Sequence, residues 1–401
     1  MIEKYYSGVI EQIYNRIGKE TRNIVMANYS NDFSIENLEV IRRYQSNEDN
    51  VFFAYSEFSY NTLVGAYEPF LDIICNMHRR FIGGSFDDFQ RECGVYYLHR
   101  QVLNSYYETG ECFREETVLL NEVAYEQRRM TKAIVDMLKR LSEVRPLMIV
   151  INRFQMASKS SIETIKYLID NPCTNIGIVL GVNVQVKGTD STVEVWDRIV
   201  ESLEDRSAIY YIGSAGQQKN HIRDTSDDEL YITTNFEQSI QEASNIMEFL
   251  DYEQAKRGCR IIEHKIKFED AWIDEKSLRR FYFIYARTSV LLGEMSKAIE
   301  LTNEYKALIP ENDSEHYFSL YYFMKGTCYM YQGKLEKAEG CAKKAYDYAL
   351  LADDELLEFK SELLSVMIKM SGWYNIFFCV QDIPVSDEFI ERISHEEIIN
   401  E

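Results

Sequence analysis

Basic residues are in short supply: 44 lysines and arginines face 65 aspartates and glutamates in 401 residues, a net charge of -21. That excess repels phosphate backbones and anionic lipid, so neither nucleic acid nor a membrane is expected as a direct partner. The eight cysteines include no CxxC pair and keep no metal-ligand rhythm with the six histidines. Zinc and a disulfide framework are therefore excluded in favour of reduced, buried thiols. There is no HExxH, and Gly213-Ser214-Ala215-Gly216 lacks the spacing of a nucleophile elbow. No uninterrupted apolar run approaches the roughly 20 residues that span a bilayer. The start, Met1-Ile2-Glu3-Lys4-Tyr5-Tyr6, has no apolar signal core, and a cytoplasmic location is expected. No metal and no cofactor is called for.

What is present describes a globular chain of two or three domains: 46% of residues are hydrophobic and 13% aromatic. Five apolar runs mark buried parallel strands: Asn23 to Ala27, Val51 to Tyr55, Leu147 to Ile151, Ile176 to Leu180 and Ala208 to Ile212. Helical stretches separate them at Ser34 to Tyr44, Tyr67 to Arg79, about Glu115 to Leu141, Lys159 to Ile169 and Thr192 to Leu203. Strands alternating with helices predict an α/β sheet with right-handed crossovers. From about Phe236 the β signal stops and amphipathic helices follow in pairs. The expected organisation is α/β plus all-α, with one domain over residues 1–220 and a helical array over 236–401.

The second half repeats one design. Tyr282, Ala286, Gly293, Ala298 and Pro310 in one segment are echoed by Tyr322, Gly326, Tyr329, Gly333, Ala338 and Ala345 in the next. Small residues allow close helix crossings and the glycines mark turns between helices. This resembles tetratricopeptide repeats, whose period is about 34 residues, although here the units lie further apart. A worn repeat is expected around Leu250 to Ala255, and another around Ser371-Gly372-Trp373.

The first half carries a more specific pattern. Arg145-Pro146 and an apolar strand lead into Asn152-Arg153-Phe154-Gln155-Met156-Ala157 and a helix from Ser160. Ala54-Tyr55-Ser56-Glu57-Phe58 precedes Tyr67-Glu68-Pro69-Phe70-Leu71. Over about residues 20 to 215 this resembles the ATPase module of STAND signalling ATPases, relatives of the AAA+ class, in which helical repeats follow a P-loop domain. The resemblance implies a Walker B acid at Asn152, where a hard Mg²⁺ ion wants a charged oxygen ligand, and a second acid at Arg153. This chain supplies a neutral amide and a fixed positive charge instead.

The phosphate cradle of such a module would fall on Asn28-Tyr29-Ser30-Asn31-Asp32-Phe33-Ser34-Ile35. A cradle needs glycines that free backbone N–H groups, a lysine for the β and γ phosphates, and a hydroxyl residue for Mg²⁺. Phe33 and Ser34 stand where the last glycine and the lysine would be, Ile35 replaces the hydroxyl residue, and Asp32 adds a negative charge. Gly18-Lys19-Glu20-Thr21 precedes the first strand and does not substitute. Two losses in the same direction predict a degenerate nucleotide site made of Asn28, Asn31, Phe33, Ser34, Ile35, Asn152 and Arg153, with Asn183 as a polar contact for any nucleotide still bound.

Activity is then expected in the repeats. By the tetratricopeptide resemblance, Arg280, Phe283 and Arg287 face Phe323, Thr327, Met330 and Tyr331 across a groove suited to an apolar or acidic protein or peptide segment. The competing reading has Phe283 and Phe323 simply packing neighbouring helices. Gly83-Gly84-Ser85-Phe86 reads as a turn rather than a cyclase signature. The expected function is that of a non-catalytic regulatory or scaffolding protein, a pseudo-ATPase. The alternatives are a slow ATPase with an atypical phosphate site and a sensor whose repeats take a small ligand. The family's winged-helix segment finds little room between Gln217 and Phe236, and no output domain is visible before Glu401. That leads to the expectation of a fragment, a truncated paralogue or a partner of a separate output protein.

Overall fold

The computed structural model describes residues 2–29, 38–46, 50–59, 63–112, 122–184, 193–206, 208–212, 236–268, 273–312 and 314–374. The chain divides into two compact units, Met1–Glu269 and Asp270–Glu401.

In the first unit, α1 (Ile2–Arg16) precedes β1 (Ile24–Tyr29), α2 (Glu39–Ser46) and β2 (Phe52–Glu57). Then come α3 (Phe70–Met77), α4 (Phe86–Glu92), α5 (Tyr97–Thr109), α6 (Val123–Val144) and β3 (Leu147–Asn152). The unit continues through α7 (Lys159–Asp170), β4 (Ile176–Asn183), α8 (Val193–Glu204), β5 (Ile209–Ile212), α9 (Phe236–Glu248) and α10 (Tyr252–Phe268). All five strands expected from the sequence are present and form one parallel sheet in the order β2-β3-β4-β1-β5. Every residue of β3 and β4 is buried, which is why these strands read as unbroken apolar runs.

One face of the sheet presents Val25, Ala27, Tyr29, Met148, Val150 and Val179. The face is covered by Tyr6, Val9, Ile10 and Ile13 of α1, spaced as one stripe of a helix, together with Val40 and Ile41 of α2. The alternate residues Met26, Ile149, Ile151, Ile178 and Leu180 are equally buried on the opposite face. The segment Gly83-Gly84-Ser85 is a turn, with both glycines at positive φ (66° and 75°) and the Ser85 hydroxyl accepting from the Asp88 N–H to start α4.

Helices α9 and α10, which the sequence groups with the repeats, fall in the first unit. Polar latches hold them there. Asp251, 4% exposed, accepts from the Ser160 N–H at the start of α7 (3.0 Å) and from the Gln254 N–H in the first turn of α10 (3.4 Å). Gln254 donates to the Val64 carbonyl, Gln127 to that of Leu250, and Lys159 pairs with Glu253 at 2.9 Å. Burial pushes the Asp251 carboxyl above its ordinary range, opposed by the Ser160 and Gln254 donors. Asp251→Ala should therefore cost about 2–4 kcal/mol in urea unfolding, because it strands the buried Ser160 N–H and uncaps α10. Asp251→Asn, which keeps an acceptor, should cost less than half of that; equal losses would mean that the latch does not depend on these acceptors.

The second unit contains α11 (Glu275–Leu291), α12 (Met295–Ala307), α13 (Glu315–Tyr331), α14 (Leu335–Ala352) and α15 (Glu355–Tyr374). Two helical hairpins repeat the same turn. Gly293 (φ 78°) donates to Val290 and Glu294 to Ser289; Gly333 (φ 72°) donates to Met330 and Lys334 to Tyr329. The positive φ explains the glycines. Ala298 and Ala338, at equivalent places after those turns, are fully buried and let the paired helices approach.

Among the described residues the seven cysteines are free, and burial pushes the thiols of Cys75 and Cys328 up to about 11 and about 12. No described helix is long and apolar enough to cross a membrane.

Candidate functional site

The chain leaves β1 towards the β2 edge of the sheet and leaves its neighbour β4 towards β5, so the connections diverge between adjacent strands. In open α/β sheets, ligands bind outside the carboxyl ends of strands at such a point. Asn152, which ends β3, lies close to it.

Asn152 is fully buried and stands in register with Glu57 at the end of β2. The Tyr29 hydroxyl, from the last residue of β1, donates to Asn152 Oδ1 at 2.8 Å. The Tyr6 hydroxyl arrives from α1: a β-carbon added at Gly181 of β4 would collide with it and lie 2.7 Å from Asn152 Oδ1. Gly181 is thus the clearance that lets α1 bring a phenol down to the sheet. Burial raises the Tyr6 phenol far above its ordinary range, and Tyr29, Tyr55 and Glu57 add to the effect. A group so disfavoured as an anion stays a neutral phenol.

Arg153 turns away from the strand in the left-handed conformation (φ 55°). Its guanidinium pairs with Glu57 at 3.0 Å and donates to the Phe58 carbonyl at 3.4 Å. The Tyr55 hydroxyl donates to the other Glu57 oxygen. The Glu57 carboxylate, in register with Asn152, is therefore paired with the arginine beside it. Two sets of polar contacts thus stand at the ends of the strands, Tyr29 with Asn152 and Arg153 and Tyr55 with Glu57.

Of the other residues the sequence assigns here, Asn183 is 3% exposed and ends β4 opposite Tyr29; its N–H donates to Gln155 Oε1 at 3.2 Å. Asn28, 7% exposed, pairs with Val182 and projects from the opposite face of the sheet to Asn152, so these two are not brought together. Asn31, Phe33, Ser34 and Ile35 lie outside the described residues. Sequence reasoning missed Tyr6, Tyr29, Glu57 and Gly181. A glycine inside the apolar run of β4 was the available signal, since such a glycine marks close approach of another group.

In the second unit Arg280 is exposed and Phe283 half-buried. Phe283 tilts against Tyr305 of α12 with centroids 5.9 Å apart, and the Arg287 guanidinium lies 5.8 Å from its ring centre. Thr327 returns its hydroxyl to the Phe323 carbonyl. Phe323 and Tyr331 are half-buried against a cluster of Met330, Ala338, Ala342, Leu364 and Ile368. Met330, 6% exposed, is part of that core and does not line a groove. The small residues of α14 draw α13 close enough to bury it.

In comparisons with known proteins, no family model and no curated protein matches the chain.

Proposed function

We propose that the first unit is a P-loop NTPase-like module of STAND type whose nucleotide chemistry is gone, and that the chain is a regulatory or scaffolding protein engaging a protein or peptide through tetratricopeptide-like repeats. The insertion of β4 between β1 and β3 in an all-parallel sheet fits an AAA+-related arrangement. One observation carries the loss of chemistry: Asn152, where the metal acid would stand, is sealed from solvent and bonded to Tyr29. Phosphoryl transfer depends on positioned positive charge and a bound metal, and this position provides neither an anionic ligand nor an opening.

The repeat side supplies the partner chemistry. Arg280 and Arg287 lie on α11 beside the half-buried Phe283, a combination suited to an acidic segment with an apolar face. Titration of labelled acidic amphipathic helices onto the full chain, followed by fluorescence anisotropy, tests this. The Arg280→Glu/Arg287→Glu variant should weaken binding by about tenfold or more and reduce its salt dependence. Unchanged affinity in that variant would reject the groove.

A further inference from the structure

A concave site lies within the first unit. A partly open cavity of about 340 Å³ is lined by α3 and the segment leading into it and by α5, α9 and α10. Leu63, Leu71, Ile246, Phe249 and Ile262 make most of its wall apolar. Glu68, Asp72 and Glu242 also line it, and among the described residues no lysine, arginine or histidine does. Its size falls in the range of about 300–1,000 Å³ typical of small-molecule sites.

The three carboxylates are held by neutral donors. Glu68 accepts from the Gly65 N–H (2.8 Å), Asp72 from the Tyr106 hydroxyl (3.1 Å) and Glu242 from the Gln238 amide (3.0 Å). Burial pushes the Glu68 carboxyl up, and Asp72 and Glu242 push it further; burial does the same to Glu242. Among the described residues, like charges rim this apolar chamber with no cation lining it to compensate them. Phe249 adds an aromatic wall, meeting Tyr106 and Tyr67 edge-on with centroids 5.4 Å and 6.2 Å away. Carboxylates beside an aromatic ring are the usual means of holding an ammonium group.

We propose that this cavity binds a protonated organic amine with an apolar body, the ammonium seated among Glu68, Asp72 and Glu242 and the body against Phe249, Ile246 and Ile262. An extended organic cation suits acids carried on separate elements; among the described residues no three His, Cys, Asp or Glu side chains converge closely enough to hold a metal ion.

Phenethylamine, phenethyl alcohol and phenylacetate share one apolar body and differ in charge, so calorimetric titration of each onto the full chain isolates the charge requirement. The amine should bind at least about tenfold more tightly than the alcohol, and phenylacetate should not bind, as expected for a charged hydrogen-bonded contact. Glu242→Gln should lower amine affinity by about tenfold while leaving the alcohol unchanged. Glu242 is the residue to alter because it accepts from Gln238 on its own helix, whereas Glu68 secures the Gly65 backbone. Methyl resonances of Ile246 and Ile262 should shift on amine addition, fixing the location. Equal affinity for amine and alcohol, no binding of either, an unaffected Glu242→Gln variant, or still methyl resonances would each overturn the proposal.

Discussion

Replacing Asn152 with aspartate, the residue type that a metal-dependent NTPase would need there, should lower stability by about 2–4 kcal/mol at neutral pH and confer no ATP hydrolysis. The side chain is fully buried, and its register partner Glu57 is already paired with Arg153. A second carboxylate there keeps the Tyr29 bond but is cut off from water, so burial raises its pKa above the unfolded value of about 3.9. Below that value the acid is protonated in both states and the penalty is small. As pH rises, the unfolded chain ionises first, the folded state binds more protons, and stability falls until the folded pKa is passed. Urea unfolding between about pH 4 and 8 should therefore show a gap from the unaltered protein that widens with pH. A gap independent of pH, or stabilisation of the variant by Mg²⁺, would contradict a sealed site.

Gly181→Ala should cost about 1–3 kcal/mol, as overpacking of a filled interior does. The added methyl meets the Tyr6 hydroxyl, lies 2.7 Å from Asn152 Oδ1 and 3.2 Å from Tyr6 Cζ. Tyr6→Phe removes the first of these contacts and leaves the ring carbon. In the Gly181→Ala background it should recover about half of the loss, giving a coupling energy of roughly 0.5–1.5 kcal/mol between residues in contact. Strict additivity of the two changes in thermal or urea unfolding would place Tyr6 elsewhere than over Gly181.

The strands were legible because a parallel strand covered on both faces leaves an uninterrupted apolar run, as in Leu147–Asn152 and Ile176–Asn183. The glycine turns at Gly293 and Gly333 were legible because few other residues tolerate that backbone. The helix α1 was missed although Tyr6, Val9, Ile10 and Ile13 carry the period of a buried stripe. The meeting of Tyr6, Tyr29 and Asn152 was beyond local reading, since it depends on the strand order and on the packing of α1 over β4. Asn152 and Arg153 were singled out by a family resemblance, and nothing in the local sequence pairs Asn152 with Tyr29 or Arg153 with Glu57. The unit boundary escaped for a related reason: Asp251, Gln254 and Lys159 tie α10 to the sheet unit through polar contacts that leave no mark on hydrophobic periodicity. Met330 was misplaced because α13 is apolar on nearly every side, so spacing alone does not say which face α14 covers.

Loss of nucleotide chemistry is tested most directly by calorimetric titration of the full chain with ATP in the presence and absence of Mg²⁺. The proposed function predicts no Mg²⁺-dependent heat at millimolar nucleotide, since Asn152 is buried and offers no charged oxygen. Micromolar binding that requires Mg²⁺ would contradict it.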